Sequence, residues 1–325
     1  MKISKESRRT AIKLALCAMF VAAAAPAAVN AKSDYPTQNF KMIIPFGAGG
    51  GSDILARTIG GVIKDMKLLP GEIVYENLPG SSGARGYKAA ASRKGDPYTL
   101  ATVSVSFFTT PILGGAPFSL KDFTPIGAIS MAPYAMMVKT DSKLKSLADV
   151  AKAGRLTTGT VGVVSDARLL ADMVSKELKV KVDAVPFDGE GEIVSNVLGG
   201  HVDFMFGNLS EVMPQIEAGT MRAIAVSTGE RLPALPNVPT FKESGYNVEH
   251  VMLRGLVMPA GVSPEVVAYW EEILRKVAQS DEWKAKYLDR FKEEPRYENA
   301  KNFAVLLQQT NDNYVRVMKS LGIIK

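Results

Sequence analysis

The sequence predicts an α/β fold made of two α/β units, and three observations predict it. Apolar, β-rich runs alternate with segments of helical periodicity. That alternation stops and restarts once in mid-chain, and the tail beyond residue 263 is helical.

In order, FKMIIPF (40–46) reads as a strand. SDILARTIGGVIKDM then reads as a helix, with Leu55, Ile59, Val62, Ile63 and Met66 on one face. EIVYEN is a strand, GARGYKAAASR a helix and PYTLATVSV a strand, so the βαβαβ order predicts a parallel sheet covered by helices. After DFTPIGAISMAPYAMMVKTDS the pattern restarts. RLTTGTVG, KVDAVPF, VDFMFGN and MRAIAVST are strands; SDARLLADMVSKEL, GEIVSNVLGG and LSEVMPQIEAG are helices. In the tail, Ser263 and Pro264 suit cap and first-turn positions, and Val266, Trp270, Ile273, Leu274 and Val277 form a buried stripe. A last helix carries Phe303, Leu306, Leu307 and Thr310, with Gly322 a plausible terminator. These tail helices are expected to lack strands and to pack back on the first unit. The chain would cross between units twice, near Ile129–Val138 and near Val251–Met258.

Residues 1–31 read as an export signal. Lys2, Lys5, Arg8, Arg9 and Lys13 precede the apolar run LALCAMFVAAAAPAAV, and Val29-Asn30-Ala31 suits cleavage. A membrane anchor fits less well, because the run is short, alanine-rich and interrupted by proline. SRRTAIK also resembles a twin-arginine signal, apart from Ala11, so either the Sec or the twin-arginine route leads to the expected periplasmic location. Cleavage takes Lys plus Arg from 39 to 34 and Asp plus Glu from 33 to 32, and the net charge from +6 to about +2. Nucleic-acid binding then loses its electrostatic basis. The one cysteine, Cys17, leaves with the signal, so neither a disulfide nor thiol chemistry is expected in the mature chain. No later apolar run approaches membrane-spanning length.

The chemistry-bearing stretch is PFGAGGGSD (45–53), a glycine loop between strand and helix. Glycine lets the chain turn sharply and lets a ligand approach the backbone. Ser52 is the expected helix cap, and the free N–H groups of the first turn favour an anion. A second loop, ENLPGSSGARG, enters the next helix with the Ser81 and Ser82 hydroxyls beside it. In a parallel sheet such loops gather at the carboxyl ends of the strands, where ligands sit. The second unit offers TVGVVSDAR, PFDGEGE and FGNLSE, and cradles from both units would suit a ligand with carboxylates at both ends.

Other readings compete less well. A dinucleotide fingerprint would use Gly47 and Gly49 with Glu76 as the ribose acid, but Ser52 takes the third glycine position. A phosphate loop lacks its Gly-Lys-Ser/Thr. His201 and His250 are too few and too far apart for a metal site, so neither metal nor cofactor is expected. Ser165-Asp166 has no histidine neighbour in sequence, and no G-x-S-x-G elbow occurs. An exported α/β enzyme acting on an anionic small molecule, or a ligand sensor reporting to a signalling kinase, are the alternatives to a binding protein. Asp53 reads as a helix-dipole residue paired with Arg57, and Arg85 as a partner for Glu76.

IIPFGAGGGSDILAR, ENLPGSSGARG, PFDGEGE, GGHVDFMFGNLSE, AGTMRAIAVSTGERLPALPNVPTFKESGYNV and RGLVMPAGVSPE, in that order, resemble the substrate-binding proteins of tripartite tricarboxylate transporters, the Bug family. The resemblance runs from about Tyr35 to the C-terminus. It implies a type II periplasmic binding fold, two α/β lobes around a cleft with two hinge crossings. Lobe 1 would be 32–132 and 252–325, and lobe 2 would be 133–251. It also implies a non-enzymatic protein that captures a small organic di- or tricarboxylate for membrane permease subunits. Carried over residue by residue, Phe46, Gly49, Gly50, Gly51 and Ser52 would hold one carboxylate with Ser81, Ser82, Gly83 and Ala84. Asp53 and Ser104 join this group as candidates. Ser165, Asp166, Phe187, Asp188, Gly189 and Asn208 would line the other wall. Asp188, Glu190 and Glu192 depart from an anion-loving wall, and Arg254 stands where much of the family carries an apolar residue; it is a candidate carboxylate clamp.

Overall fold

The computed structural model describes residues 35–114, 116–161, 165–187, 189–320 and 322–325. The expected export signal with Cys17, and the candidate ligand residue Asp188, lie outside the described residues. Gln38–Lys325 forms one compact unit, and residues 35–37 have no regular structure.

The first strand set begins with β1 (Phe40–Ile44), α1 (Gly51–Asp65), β2 (Ile73–Asn77), α2 (Ala84–Ala91), β3 (Thr99–Thr102) and α3 (Val105–Ile112). β1 lies between β2 and β3, parallel to both, as the βαβαβ pattern requires. In α1 the side chains of Leu55, Ile59, Val62 and Ile63 are buried, and Met66 falls at the C-cap, half-buried. The start of α3 is not legible in PYTLATVSV: the strand stops at Thr102, and Ser104 and Val105, expected to end it, are the cap and first residue of the helix.

β4 (Phe123–Lys139) is one continuous strand of 17 residues. The second strand set follows as α4 (Leu147–Lys152), β5 (Arg155–Val161), α5 (Asp166–Glu177), β6 (Lys181–Phe187), α6 (Glu190–Leu198), β7 (Phe204–Asn208), α7 (Leu209–Glu217) and β8 (Met221–Val226). β5 lies parallel to both β6 and β7. The chain returns through β9 (Val251–Pro259), α8 (Pro264–Ala278), a short helical stretch over 281–291, β10 (Glu294–Asn299) and α9 (Ala300–Ser320). β10 pairs antiparallel with β4, so the tail does contribute a strand. Its sequence, EPRYEN, is charged and carries a proline, which suits pairing along one side only.

All ten strands join in one mixed sheet whose main path runs β2-β1-β3-β9-β4-β7-β5-β6. The partners of β4 change part-way along it. Phe123–Pro133 pairs antiparallel with β9, and Tyr134–Lys139 pairs with β7 and β8. Separate apolar clusters serve the two ends. One joins Ile43, Tyr87, Phe107, Leu253 and Phe303. Two others cover opposite faces of the second set, one around Val174, Phe204 and Phe241 and one around Ile193, Met205 and Val212. All five stripe residues of α8 are buried, each contributing about 1.5–3 kcal/mol through removal from water.

Candidate functional site

The glycine loop after β1 is held from behind. Asp53 is only 4 % exposed, and its carboxylate accepts from Gly49 N–H at 2.8 Å, Arg57 Nε at 2.9 Å and Asn77 Nδ2 at 3.0 Å. The same Asn77 amide donates to Phe46 O at 3.0 Å. Burial pushes the Asp53 carboxyl up, but these donors outweigh it and hold it below its ordinary value. Asp53 therefore shapes the loop, and its oxygens already have donors. Gly50, not Ser52, is the N-cap of α1, so the cap has no side chain, and Ser52 is buried in the first turn. Gly50 O accepts from the N–H groups of Asp53 and Ile54. Among the described residues, no acceptor faces the N–H groups of Gly51 and Ser52. Gly49, with φ of +80°, makes the left-handed turn that sets this up.

The second loop packs directly on the first. A Cβ on Gly83 would come within 3.2 Å of Phe46 Cζ, and one on Gly86 within 2.6 Å of Pro45 Cα. Ser81 and Ser82, both at φ +49°, precede Gly83 at +84°. Left-handed backbone costs a non-glycine residue about 1–2 kcal/mol, and such strain gathers at ligand sites. Gly83 N–H and Ala84 N–H are committed to Gly80 O and Ser81 O, so they are not spare donors. Both serines are exposed, and Thr110 ties the loop down by donating to Ser82 O at 3.0 Å. Ser104 caps α3 by position but spends its hydroxyl on Tyr87 Oη, 2.9 Å away.

Arg254 on β9 reaches into this group. Its Nη2 lies 3.4 Å from where a Cβ on Gly51 would stand. It is 12 % exposed, and its Nε donates to Glu293 Oε1 at 3.1 Å. Glu293 also accepts from Tyr287 at 3.1 Å and Ser130 at 2.6 Å. Burial opposes the guanidinium charge, yet Glu293 beside it raises its proton affinity above the ordinary value. The charge also acts on Tyr87, Tyr134 and Glu211, so Arg254 stands within electrostatic range of both strand sets. Arg85 does not meet Glu76, which pairs with Lys41 at 2.9 Å.

The second group lies at the carboxyl ends of β5, β6 and β7. Ser165 caps α5, its Oγ accepting from Arg168 N–H at 3.3 Å. Asp166 is 2 % exposed and turned into the protein, where it accepts from Tyr134 Oη at 2.8 Å, from His250 Nε2 and from Tyr314 Oη. Burial pushes its carboxyl up, but His250 and the two hydroxyls bring it below its ordinary value. So Asp166, like Asp53, organises the site from behind. Phe187 ends β6 and pairs with Val161, and Gly189 is the N-cap of α6 without a side-chain bond. Asn208 ends β7, and its Nδ2 donates to Tyr134 Oη at 3.3 Å. At the starts of α6 and α7, Glu190 and Glu211 share a hydrogen bond. Burial and then Glu211 push Glu190 up to about 8.

The profile of the family described as "Tripartite tricarboxylate transporter family receptor" matches residues 60–323. The chain belongs to this family of receptors. Protein BugT of Bordetella pertussis is 28% identical to this receptor over 278 residues, covering 82% of this chain and 84% of that protein. A TctC solute binding protein from Polaromonas superposes with a TM-score of 0.80 at 26% identity, covering 88% of this chain and 99% of that one. An R. palustris protein solved with adipate gives 0.74 at 25% identity, covering 89% and 99%. The receptor thus has the periplasmic binding protein fold and belongs with solute-binding proteins, not with enzymes. Among its described residues, no helix is long and apolar enough to cross a membrane.

Sequence reasoning about this receptor missed Glu293, Tyr87, Tyr134, His250 and Tyr314. Asp166 and His250 are 84 positions apart, Asp166 and Tyr314 148, and Arg254 and Glu293 39. No local pattern marks such pairs. Arg254 had one sequence-level signal, a charge within an otherwise apolar strand, and a buried charge needs a partner.

Proposed function

We propose that the protein captures a small organic di- or tricarboxylate in the periplasm and presents it to the permease subunits of a tripartite tricarboxylate-type transporter. The observation that carries this is the uncapped start of α1. Two amides without acceptors, the positive end of a 15-residue helix and the Arg254 guanidinium converge beside Gly51. A carboxylate fits those donors, through charge-assisted bonds roughly twice as strong as neutral ones. The relative solved with adipate supports the ligand class. The second strand set would supply the other wall. β4 changes partners at Pro133/Tyr134, and β9 begins at Val251, facing Pro133. Bending there would move the two sets as lobes, with Phe187, Gly189 and Asn208 closing over the ligand.

A thermal-shift screen of the exported form against aliphatic, aromatic and amino-dicarboxylates tests the reading. A bound acid at a hundred times its Kd stabilises the fold by about 2.7 kcal/mol. No shift with any of them would defeat it.

A further inference from the structure

Asn208 can face a neighbour with either its carbonyl or its amino group, and the surrounding hydrogen bonds decide which. Tyr134 Oη lies 2.8 Å from Asp166 Oδ2 and 3.3 Å from Asn208 Nδ2. Asp166 is an ionised carboxylate that only accepts, taking bonds from His250 and Tyr314 as well. Tyr134 must therefore spend its single proton on Asp166. What its oxygen receives from Asn208 must be an N–H. The amino group of Asn208 is thus fixed toward Tyr134, and the carbonyl Oδ1 is turned away from it.

That Oδ1 is buried and, among the described residues, has no donor. Buried acceptors without donors are rare in folded proteins and disfavoured in an apolar surrounding. This one, at the carboxyl end of a parallel strand, calls for a donor from outside the chain.

We propose that Asn208 is a specificity-determining residue, locked by Tyr134 and Asp166 with its carbonyl toward the ligand, and that it selects acids carrying a hydroxyl or ammonium donor. This rests on the carboxylate-binding reading and deepens it. The β1–β3 end takes a carboxylate, whereas the β7 end takes a donor on the same molecule. A plain diacid leaves the Asn208 acceptor unpaired, which weakens its binding about tenfold to a hundredfold.

Calorimetry at pH 7 with four- and six-carbon diacids, each unsubstituted, 2-hydroxylated or 2-aminated, tests the assignment. In the wild type, the hydroxy or amino acid should bind at least about tenfold more tightly than the unsubstituted acid of equal length. Asn208→Ala should bring that ratio close to one. Tyr134→Phe, which frees the amide to turn, should lower the ratio by improving the unsubstituted acid. A purely structural role would weaken all ligands alike and leave the ratio intact. The inference is overturned if unsubstituted acids bind as well as substituted ones, or if the preference survives in both variants. If unsubstituted and substituted acids all fail to bind, the carboxylate-binding reading itself falls, and this inference with it.

Discussion

The two groups of strand ends are built from opposite chemistry. At β1–β3 the groups offered are donors: the amides of Gly51 and Ser52, the Ser81 and Ser82 hydroxyls and the Arg254 guanidinium. At β5–β7 the conspicuous groups are the Asn208 carbonyl, an acceptor, and the Glu190–Glu211 carboxyl pair. In each group an aspartate sits behind the surface, Asp53 in the first and Asp166 in the second, with its oxygens occupied by the protein. On the proposed reading, class recognition falls to backbone amides, which read any carboxylate. On the same reading, selectivity falls to side chains at the other end.

The largest effect should come from separating Arg254 from its counter-ion. Glu293→Ala leaves a buried guanidinium without its partner and should cost about 3–5 kcal/mol in urea unfolding. A loss below about 1 kcal/mol would show that solvent or ligand-side groups already neutralise Arg254, and the donor end would need redrawing.

Gly51→Leu probes the donor end alone. The added Cβ meets only the tip of the Arg254 side chain, at ordinary contact distance, so the backbone can accept the substitution and the unliganded fold should keep its stability. Stabilisation by saturating diacid, about 2.7 kcal/mol at a hundred times Kd, should vanish. Retained stabilisation would move the carboxylate away from α1.

The acceptor end makes a smaller, pH-dependent prediction. Glu190 is raised from 4.5 in the unfolded chain to about 8 in the fold, first by burial and then by Glu211. Between those values the native state holds the extra proton, so stability should fall as pH rises through that window. Glu190→Gln should flatten the decline in melts run from pH 4.5 to 8.5. An unchanged slope would mean that the pair does not share a proton. Asp166 works in the opposite direction: its carboxyl is lowered from 3.8, so its contribution is present above that pH and lost on acidification below it.

Much of the first group is legible in the sequence because its signals are local. Glycines between a strand and a helix, and apolar spacing in the helix, place α1 and its loop to within a residue or so. Ser52 as cap was one plausible reading of GGGSD, but Gly50 takes the position because Asp53 draws the Gly49 amide back and tightens the turn. The second group was legible as strand ends and not as chemistry. Nothing around Asp166 announces that Tyr134 of β4, His250 just before β9 and Tyr314 of the C-terminal helix would converge on it. β10 went unseen because a charged strand with a proline has no alternation to detect, and the start of α3 because PYTLATVSV reads as one strand through Val105.

The most direct test of the donor end is an amide-resolved NMR titration of the protein with hexanedioate. The largest shifts should fall on Gly50, Gly51, Ser52, Ser81 and Ser82, whose amides would bond the carboxylate. A different surface offers a cavity of about 660 Å³ lined by Thr228, Glu249, Arg296 and Gln309. Shifts concentrated there, with the α1 amides unmoved, would contradict the account.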